Sequence, residues 1–295
     1  MVSRNKAGQV ILNIVFILLV IAAVAPFLLL LSSSLTEEAT LVREGYNFFP
    51  KSFSLESYIY LFRSSTKILR GYGITVLVTL VGTTLSVLFT VMFAYPLSRK
   101  ELPHRYLAAF FVFFTMLFNG GLIPSYMMWT QTFHVKNTLW ALIFPGLLMN
   151  GFYIIMMRSF FSSSIPDALV EAARIDGAGE YGILFKIVLP LSKPMLATIA
   201  LMVGLGYWND WVNSLYYVTD EKLFSIQAIL NTIITNIQFL TSGQSTAVQS
   251  TAAAGLPSVG IRMAIAVIGV LPILCIYPFF QKYFVKGIVV GGVKG

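Results

Sequence analysis

Residues 171–190 read EAARIDGAGEYGILFKIVLP, and this stretch decides how the rest of the chain is understood. Glu171, Ala172 and Ala173 are followed at short offsets by Gly177, then by Ile187, Leu189 and Pro190. Upstream, Ser164-Ile165-Pro166-Asp167 has the pattern of a capping box with proline inside the first turn. Helix formers run from Ala168 to Ile175, and Gly177 is placed to close that helix in a left-handed turn. Residues 180–188 predict a second short helix, stopped by Pro190 and Pro194. Ala172, Ala173 and Ala178 are small enough to let a partner surface approach closely. An ordinary amphipathic helical hairpin would share the triplet, so its surroundings decide the reading.

Those surroundings are membrane-like. Hydrophobic residues make up 57% of the 295 and charged residues only 11%, with a mean hydropathy of +0.80. A soluble domain carries about 25% charged residues, so this composition suits a bilayer. The net charge of +8 is scattered beside apolar runs. That distribution fits orientation in a membrane and excludes nucleic acid as a partner, which would need a basic face on a soluble fold. Cys275 is the single cysteine, so no intramolecular disulfide or cysteine cluster is available, and His104 and His134 lack ligand spacing. No metal site is expected.

Six apolar runs, at 10–31, 74–97, 107–130, 138–157, 195–217 and 261–283, define an all-α, polytopic membrane protein forming one transmembrane domain over 1–295. The first run is too long for a signal peptide and is read as an uncleaved helix, with cleavage near Ala22-Ala23-Val24-Ala25 as the alternative. The third is interrupted by Asn119-Gly120-Gly121 and Pro124; one kinked helix is the preferred reading and a re-entrant segment the other. With the N-terminus inside, inner segments hold twelve of the twenty Lys and Arg residues, and the short loop SRKELPHR (98–105) is distinctly basic. Five of the outer eight lie in one long first loop, which counts for less. N-in and C-in follows, and the loop 158–194 between the fourth and fifth spans becomes cytoplasmic.

Catalytic signatures do not occur. The chain has no GxxxxGK[ST] phosphate loop, and GIVVGGVKG at the C-terminus lacks both spacing and hydroxyl. GxSxG, HExxH and paired-carboxylate patterns are also missing, so the chain is read as no enzyme and as binding no cofactor itself. Polar residues inside spans are costly and become functional candidates. Tyr207, Trp208, Asn209, Asp210 and Asn213 cluster in the fifth span, where aromatic faces and amides suit a sugar. An interfacial aromatic belt and interhelical hydrogen bonds account for the same residues. Asn119 and Asn150 join them on the same terms, and Asp210, the one carboxylate within a span, needs a partner.

The 171–190 motif resembles the cytoplasmic coupling (EAA) loop of membrane subunits of binding-protein-dependent ABC importers. The resemblance extends over nearly the whole chain, through NFFPKSFSLESYIYLF (47–62), FNGGLIPSYMMW (118–129), NTLWALIFPG (137–146), RSFFSSSIPDALVEAARIDGA (158–178), IVLPLSKPMLATIAL (187–201), YWNDW (207–211) and LYYVTD (215–220). Together these are similar to the carbohydrate-uptake permeases, in their MalG-like and LplC-like branch. The resemblance implies a permease in a prokaryotic cytoplasmic (inner) membrane, paired with a second permease subunit, two ATPase subunits carrying ATP and Mg, and an extracellular sugar-binding protein. It implies ATPase docking by Glu171, Ala172, Ala173, Asp176 and Gly177. It also implies a contact of Gly291, Gly292, Lys294 and Gly295 with the ATPase interface, and a probing role for the neutral loop 241–260. An oligosaccharide is the implied cargo. A polyol, glycerol phosphate or peptide, a stand-alone secondary transporter, and a polytopic membrane enzyme are the alternatives.

Overall fold

The computed structural model describes residues 6–63, 65–241 and 258–291. Among them the chain is helical, with an isolated bridge between Thr36 and Phe53 as the extended pairing. The helices fall into two compact units.

The first unit comprises the described residues of Met1–Ile68 and Leu230–Pro272. It contains α1 (Lys6–Ser34), α2 (Glu38–Glu44) and α3 (Glu56–Phe62), together with the start of α4 (Ser65–Ser98). The end of α14 (Ile226–Thr241) and the first part of α15 (Ser258–Gly291) complete it. Gly8–Ser34 has 27 residues, or about 40 Å of helix, more than the ~30 Å of a bilayer core. Glu38 grips the N-terminus of α15: its Oε1 accepts from Val259 N at 2.9 Å and its Oε2 from Gly260 N at 2.8 Å. Two free amides and a positive helix end are thus matched by one carboxylate. A Cβ on Gly260 would collide with Ser57 Oγ, so a larger residue there would force Ser57 to shift.

The second unit is built from Leu69–Ile229 and Ile273–Gly295. Besides the rest of α4 it holds α5 (Arg105–Leu117), α6 (Leu122–Met127), α7 (Trp140–Ile143), α8 (Gly151–Ser164), α9 (Asp167–Ile175) and α10 (Glu180–Ile183). After these come α11 (Leu189–Leu191), α12 (Lys193–Trp208) and α13 (Val212–Tyr217). Its core joins Val91, Met157, Phe161, Val170, Ile183, Val188, Ile199 and Tyr207. Tyr207 can lie flat against α4 because residue 82 is glycine; a Cβ there would be 2.5 Å from the ring.

Three helices are each long and apolar enough to cross a membrane: Gly8–Ser34, Thr66–Ser98 and Val259–Phe279. They match the expected runs at 10–31, 74–97 and 261–283. The other three runs are not continuous helices. Between Arg105–Leu117 and Leu122–Thr132 the chain turns by 111°, a break rather than the kink preferred for 107–130. Gly121 at φ +84° and the amide of Asn119, accepting from Gly121 N at 2.8 Å, make the turn. In 138–157 the four-residue α7 ends before Pro145-Gly146, and helix resumes only at Gly151, running on to Ser164. Gly146 has φ +72°, which stops α7. The run 195–217 breaks after Trp208 and resumes at Val212. Hydropathy averaged along a run does not register such breaks.

Candidate functional site

The 158–194 loop folds as a braced hairpin. Helix α9 starts at Asp167 with Pro166 as its N-cap, and no side chain caps it. The expected capping box fails because Ser164 still belongs to α8. Asp167 occupies the positive end of α9 and takes a hydrogen bond from Lys100 Nζ at 2.8 Å. At the other end Gly177 adopts φ +82°. Ala178 N donates to Ala173 O at 2.9 Å and Gly177 N to Arg174 O at 3.0 Å. This pair of bonds is the Schellman closure that a glycine in that place predicts. The second helix does not stop at Pro190. It widens into a π-turn over Leu184–Val188 and continues through α11 to Ser192, where the chain bends by 84° into α12. Widening just before Pro190 relieves the clash a proline ring makes in a regular helix.

Arg174 is the brace. Its Nε donates to Glu180 Oε1 at 2.8 Å, and its Nη1 lies 3.4 Å from Glu101 Oε1 in the loop after α4. Tyr95, on the last turns of α4, donates its hydroxyl to Glu180 Oε2 at 2.7 Å. The Tyr95 hydroxyl, with Arg174 beside it, holds the Glu180 carboxyl below its ordinary range. Lys100 does the same for Asp167, and Arg174 is itself held more firmly protonated, first through Glu180. The hairpin is therefore fastened to the foot of α4 at both ends of α9.

This fastening sorts the expected docking residues. Glu171, Ala172, Asp176 and Gly177 lie exposed, whereas Ala173 is 8% exposed and packs beside Val170 in the chain's own core. Ala173 is thus small for internal packing and does not present a surface. Ile175, 86% exposed, and Tyr181, 72% exposed, extend the free end of the hairpin. Sequence reading passed over both, as it did Arg174, Glu180, Glu101 and Tyr95. Ile175 had a signal: it is apolar, yet out of phase with the buried Val170 and Ala173 on a 3.6-residue helix. Gly291 ends α15, and Gly292, Lys294 and Gly295 lie outside the described residues, as does most of the loop 241–260.

The expected pathway residues serve the helix breaks. Tyr207 Oη donates to Ile143 O at 2.8 Å and Asn213 Nδ2 to Pro145 O at 3.0 Å. The Ile143 carbonyl loses its helical partner where α7 ends, and in a bilayer an unmatched carbonyl costs several kcal/mol; the Pro145 carbonyl also accepts from Leu147 N at 2.9 Å. Asn150 Oδ1 accepts from Phe152 N and so caps α8. Asp210 finds its partner in the backbone, its Oδ1 accepting from Val212 N at 3.1 Å and Asn213 N at 3.2 Å at the start of α13. Trp208 is buried against Tyr72, with ring centroids 6.2 Å apart. Asn209 and Asn119 keep exposed side chains, Asn209 Nδ2 donating to Leu205 O. Among the described residues no group of three or more His, Cys, Asp or Glu could hold a metal.

A helical chain with long apolar spans, broken spans whose carbonyls are met by side chains, and an exposed braced hairpin defines a multi-pass membrane transport component. The chain belongs to the family of binding-protein-dependent transport system inner membrane components, whose model matches residues 71–290. It is 40% identical over 295 residues to Protein LplC of Bacillus subtilis, covering 99% of this chain and 97% of that one. It is 35% identical to the polygalacturonan/rhamnogalacturonan transport system permease protein YtcP of the same organism, covering 99% of this chain and all of the relative. Among solved structures it resembles a chain of a bacterial ABC transporter involved in import of the acidic polysaccharide alginate. The TM-score there is 0.78 at 29% identity, with 96% of this chain and 99% of the other covered. The protein is a multi-pass inner-membrane permease.

Proposed function

We propose that this chain is the permease subunit of an ATP-driven, binding-protein-dependent oligosaccharide importer, with six spans, N-in and C-in, in a single transmembrane domain. It lines the translocation pathway beside a second permease subunit and receives cargo from an extracellular sugar-binding protein. Two separate ATPase subunits carry ATP and Mg, and this chain neither binds nor hydrolyses nucleotide. The observation that supports the reading most is the exposed end of α9, Glu171, Ala172, Asp176 and Gly177, held on α4 through Arg174 and Lys100. A surface so fastened can pass a partner's movement to a membrane span. The cargo reading is supported by similar proteins whose names state polygalacturonan/rhamnogalacturonan and the acidic polysaccharide alginate. The tail residues Gly291, Gly292, Lys294 and Gly295 would reach the ATPase interface, and the loop 241–260 the binding protein.

The test has two parts. Cysteines replacing Ser245 and Ser250 in a Cys275→Ala background should react with an impermeant thiol reagent added outside; labelling from the cytoplasmic side alone would overturn the topology. Glu171→Lys should reach the membrane yet fail to co-purify the ATPase or support uptake. Wild-type recovery and uptake in that variant would remove the docking assignment.

A further inference from the structure

The stretch NFFPKSFSLESYIYLF (47–62) takes no part in the hairpin or in the helix breaks. It follows α1 and α2, and its backbone is pinned to the end of α1. Ser32 Oγ donates to Asn47 O at 2.7 Å, Ser54 N to Leu35 O at 2.9 Å, and Glu37 N to Ser52 O at 3.1 Å. The bridge between Thr36 and Phe53 lies among these bonds, and the Thr40 and Ser52 hydroxyls meet at 2.6 Å. The loop is therefore fixed, yet its aromatic side chains stay outside the chain's own packing. Phe49 is 84% exposed, Phe53 66%, and Tyr46 and Phe48 54% each. Rings that bury about 150–250 Å² each when covered form a patch that water does not favour.

The depth of the patch follows from α1. Phe27, Leu28 and Leu31 are exposed apolar residues of that spanning helix, whereas Ser32, Ser33 and Ser34, next along it, are polar and buried. The hydrocarbon-facing surface of α1 thus ends near Leu31, about 1.5 Å along the axis before Ser32. Asn47 is hydrogen-bonded to Ser32, so the loop passes through the same level. Phe49 follows two residues later, at most about 7 Å of chain. That reach is about the thickness of one headgroup layer. From Glu44 to Leu55 the charged residues are Glu44 and Lys51, and they pair at 2.6 Å, so no unpaired charge opposes entry. Aromatic rings are enriched at this boundary between membrane and water. We propose that Tyr46, Phe48, Phe49 and Phe53 form an anchor inserted into the headgroup layer, with the lipid surface itself as the partner. A protein partner would need a shaped pocket for the projecting Phe49, and a lipid layer needs none. This rests on α1 crossing the membrane, whichever side its N-terminus occupies, and not on cargo or ATPase docking.

The test uses the assembled importer, with cysteine-free partner subunits and Phe49→Cys in a Cys275→Ala background. The thiol is labelled with nitrobenzoxadiazole and the complex reconstituted in vesicles of phosphatidylcholine and phosphatidylglycerol. Lipids carrying a nitroxide quencher at carbon 5 or carbon 12 of an acyl chain report depth. The label should emit to the blue of its position in water and be quenched more by the carbon-5 lipid than by the carbon-12 lipid. Phe53→Cys, labelled likewise, should give the same order, and it decides the matter if the Phe49 variant does not assemble. Emission as in water, with no quenching by either lipid, would overturn the proposal. A blue shift without quenching would show that protein covers the loop, and would overturn it equally. Uptake measured on the same preparations reports on the importer reading separately.

Discussion

Gly177 separates the cost of a conformation from the cost of a lost contact. Its φ is +82°, and a Cβ built there meets nothing within 4 Å. Substitution therefore strains the backbone without causing a clash inside the chain. Gly177→Ala should cost about 1–2 kcal/mol, the penalty of a left-handed residue with a Cβ, and Gly177→Asn less, because its short polar side chain tolerates that region. Gly177→Asp adds a negative charge at the C-terminus of α9, unfavourable by about 0.3–1 kcal/mol. None of these approaches the ~5–15 kcal/mol that holds a typical domain together, so all three variants should fold and reach the membrane. If the end of α9 meets the ATPase, Asn should behave as wild type and Ala nearly so, while Asp should lose ATPase co-purification and uptake together. Membrane abundance by immunoblot, co-purification and labelled-sugar uptake give the three readouts. An Asp variant with full co-purification and uptake would refute the docking surface. Equal loss of abundance in Ala and Asp would reduce Gly177 to a backbone role.

Arg174→Ala removes two partly exposed ion pairs, each worth about 0.2–1 kcal/mol, so the chain should fold while uptake drops with ATPase still bound; loss of ATPase binding instead would show that Arg174 contacts the partner. Because the Glu180 and Asp167 carboxyls are held below their ordinary range, the brace contributes fully above the ordinary carboxylate pKa, about 4. It is lost as pH falls through the depressed values, and high salt weakens it. A spin-label distance between Leu102 and Ile175, followed downward from neutral pH, should stay constant to about pH 4 and then lengthen; constancy through that range would show that packing alone holds the hairpin. Tyr207→Phe keeps the ring but strands Ile143 O, costing about 1–3 kcal/mol, and should lower thermal stability in detergent with sugar affinity unchanged. Gly260→Ala should disturb the Glu38 cap through Ser57 and reduce assembly, as read by size-exclusion chromatography; an unaffected elution profile would count against the cap.

The legible parts of the chain were those governed by local rules. Gly177 closes α9 where its sequence position predicts, because a left-handed cap needs little beyond a glycine after good helix formers. The long apolar runs at 10–31, 74–97 and 261–283 became continuous helices for the same reason. The break at Pro145 depends on distant help, whereas those near Asn119 and Asn209 are closed by side chains beside them. A helix can stop at Ile143 because Tyr207, 64 positions away, supplies a donor. The Asp210 carboxyl, which looked like a pathway group, caps α13. Likewise the partners of Arg174 come from the loop after α4 and the start of α10 and could not be paired by spacing alone, although a chain with so few charges draws attention to each.

The commitment of Tyr207 and Asn213 to backbone carbonyls bears on efforts to retarget the importer. A library randomised at these two positions would mostly sample damaged scaffolds, since replacing Tyr207 strands the Ile143 carbonyl and replacing Asn213 removes one of the two donors to the Pro145 carbonyl before any new sugar is met. Asn119 and Asn209 offer a wider choice of replacements. Their side chains are exposed, and their hydrogen bonds serve only neighbours along the chain. Selection for a new diet would do better to begin there, or on the companion permease, than at the aromatic cluster that first draws the eye.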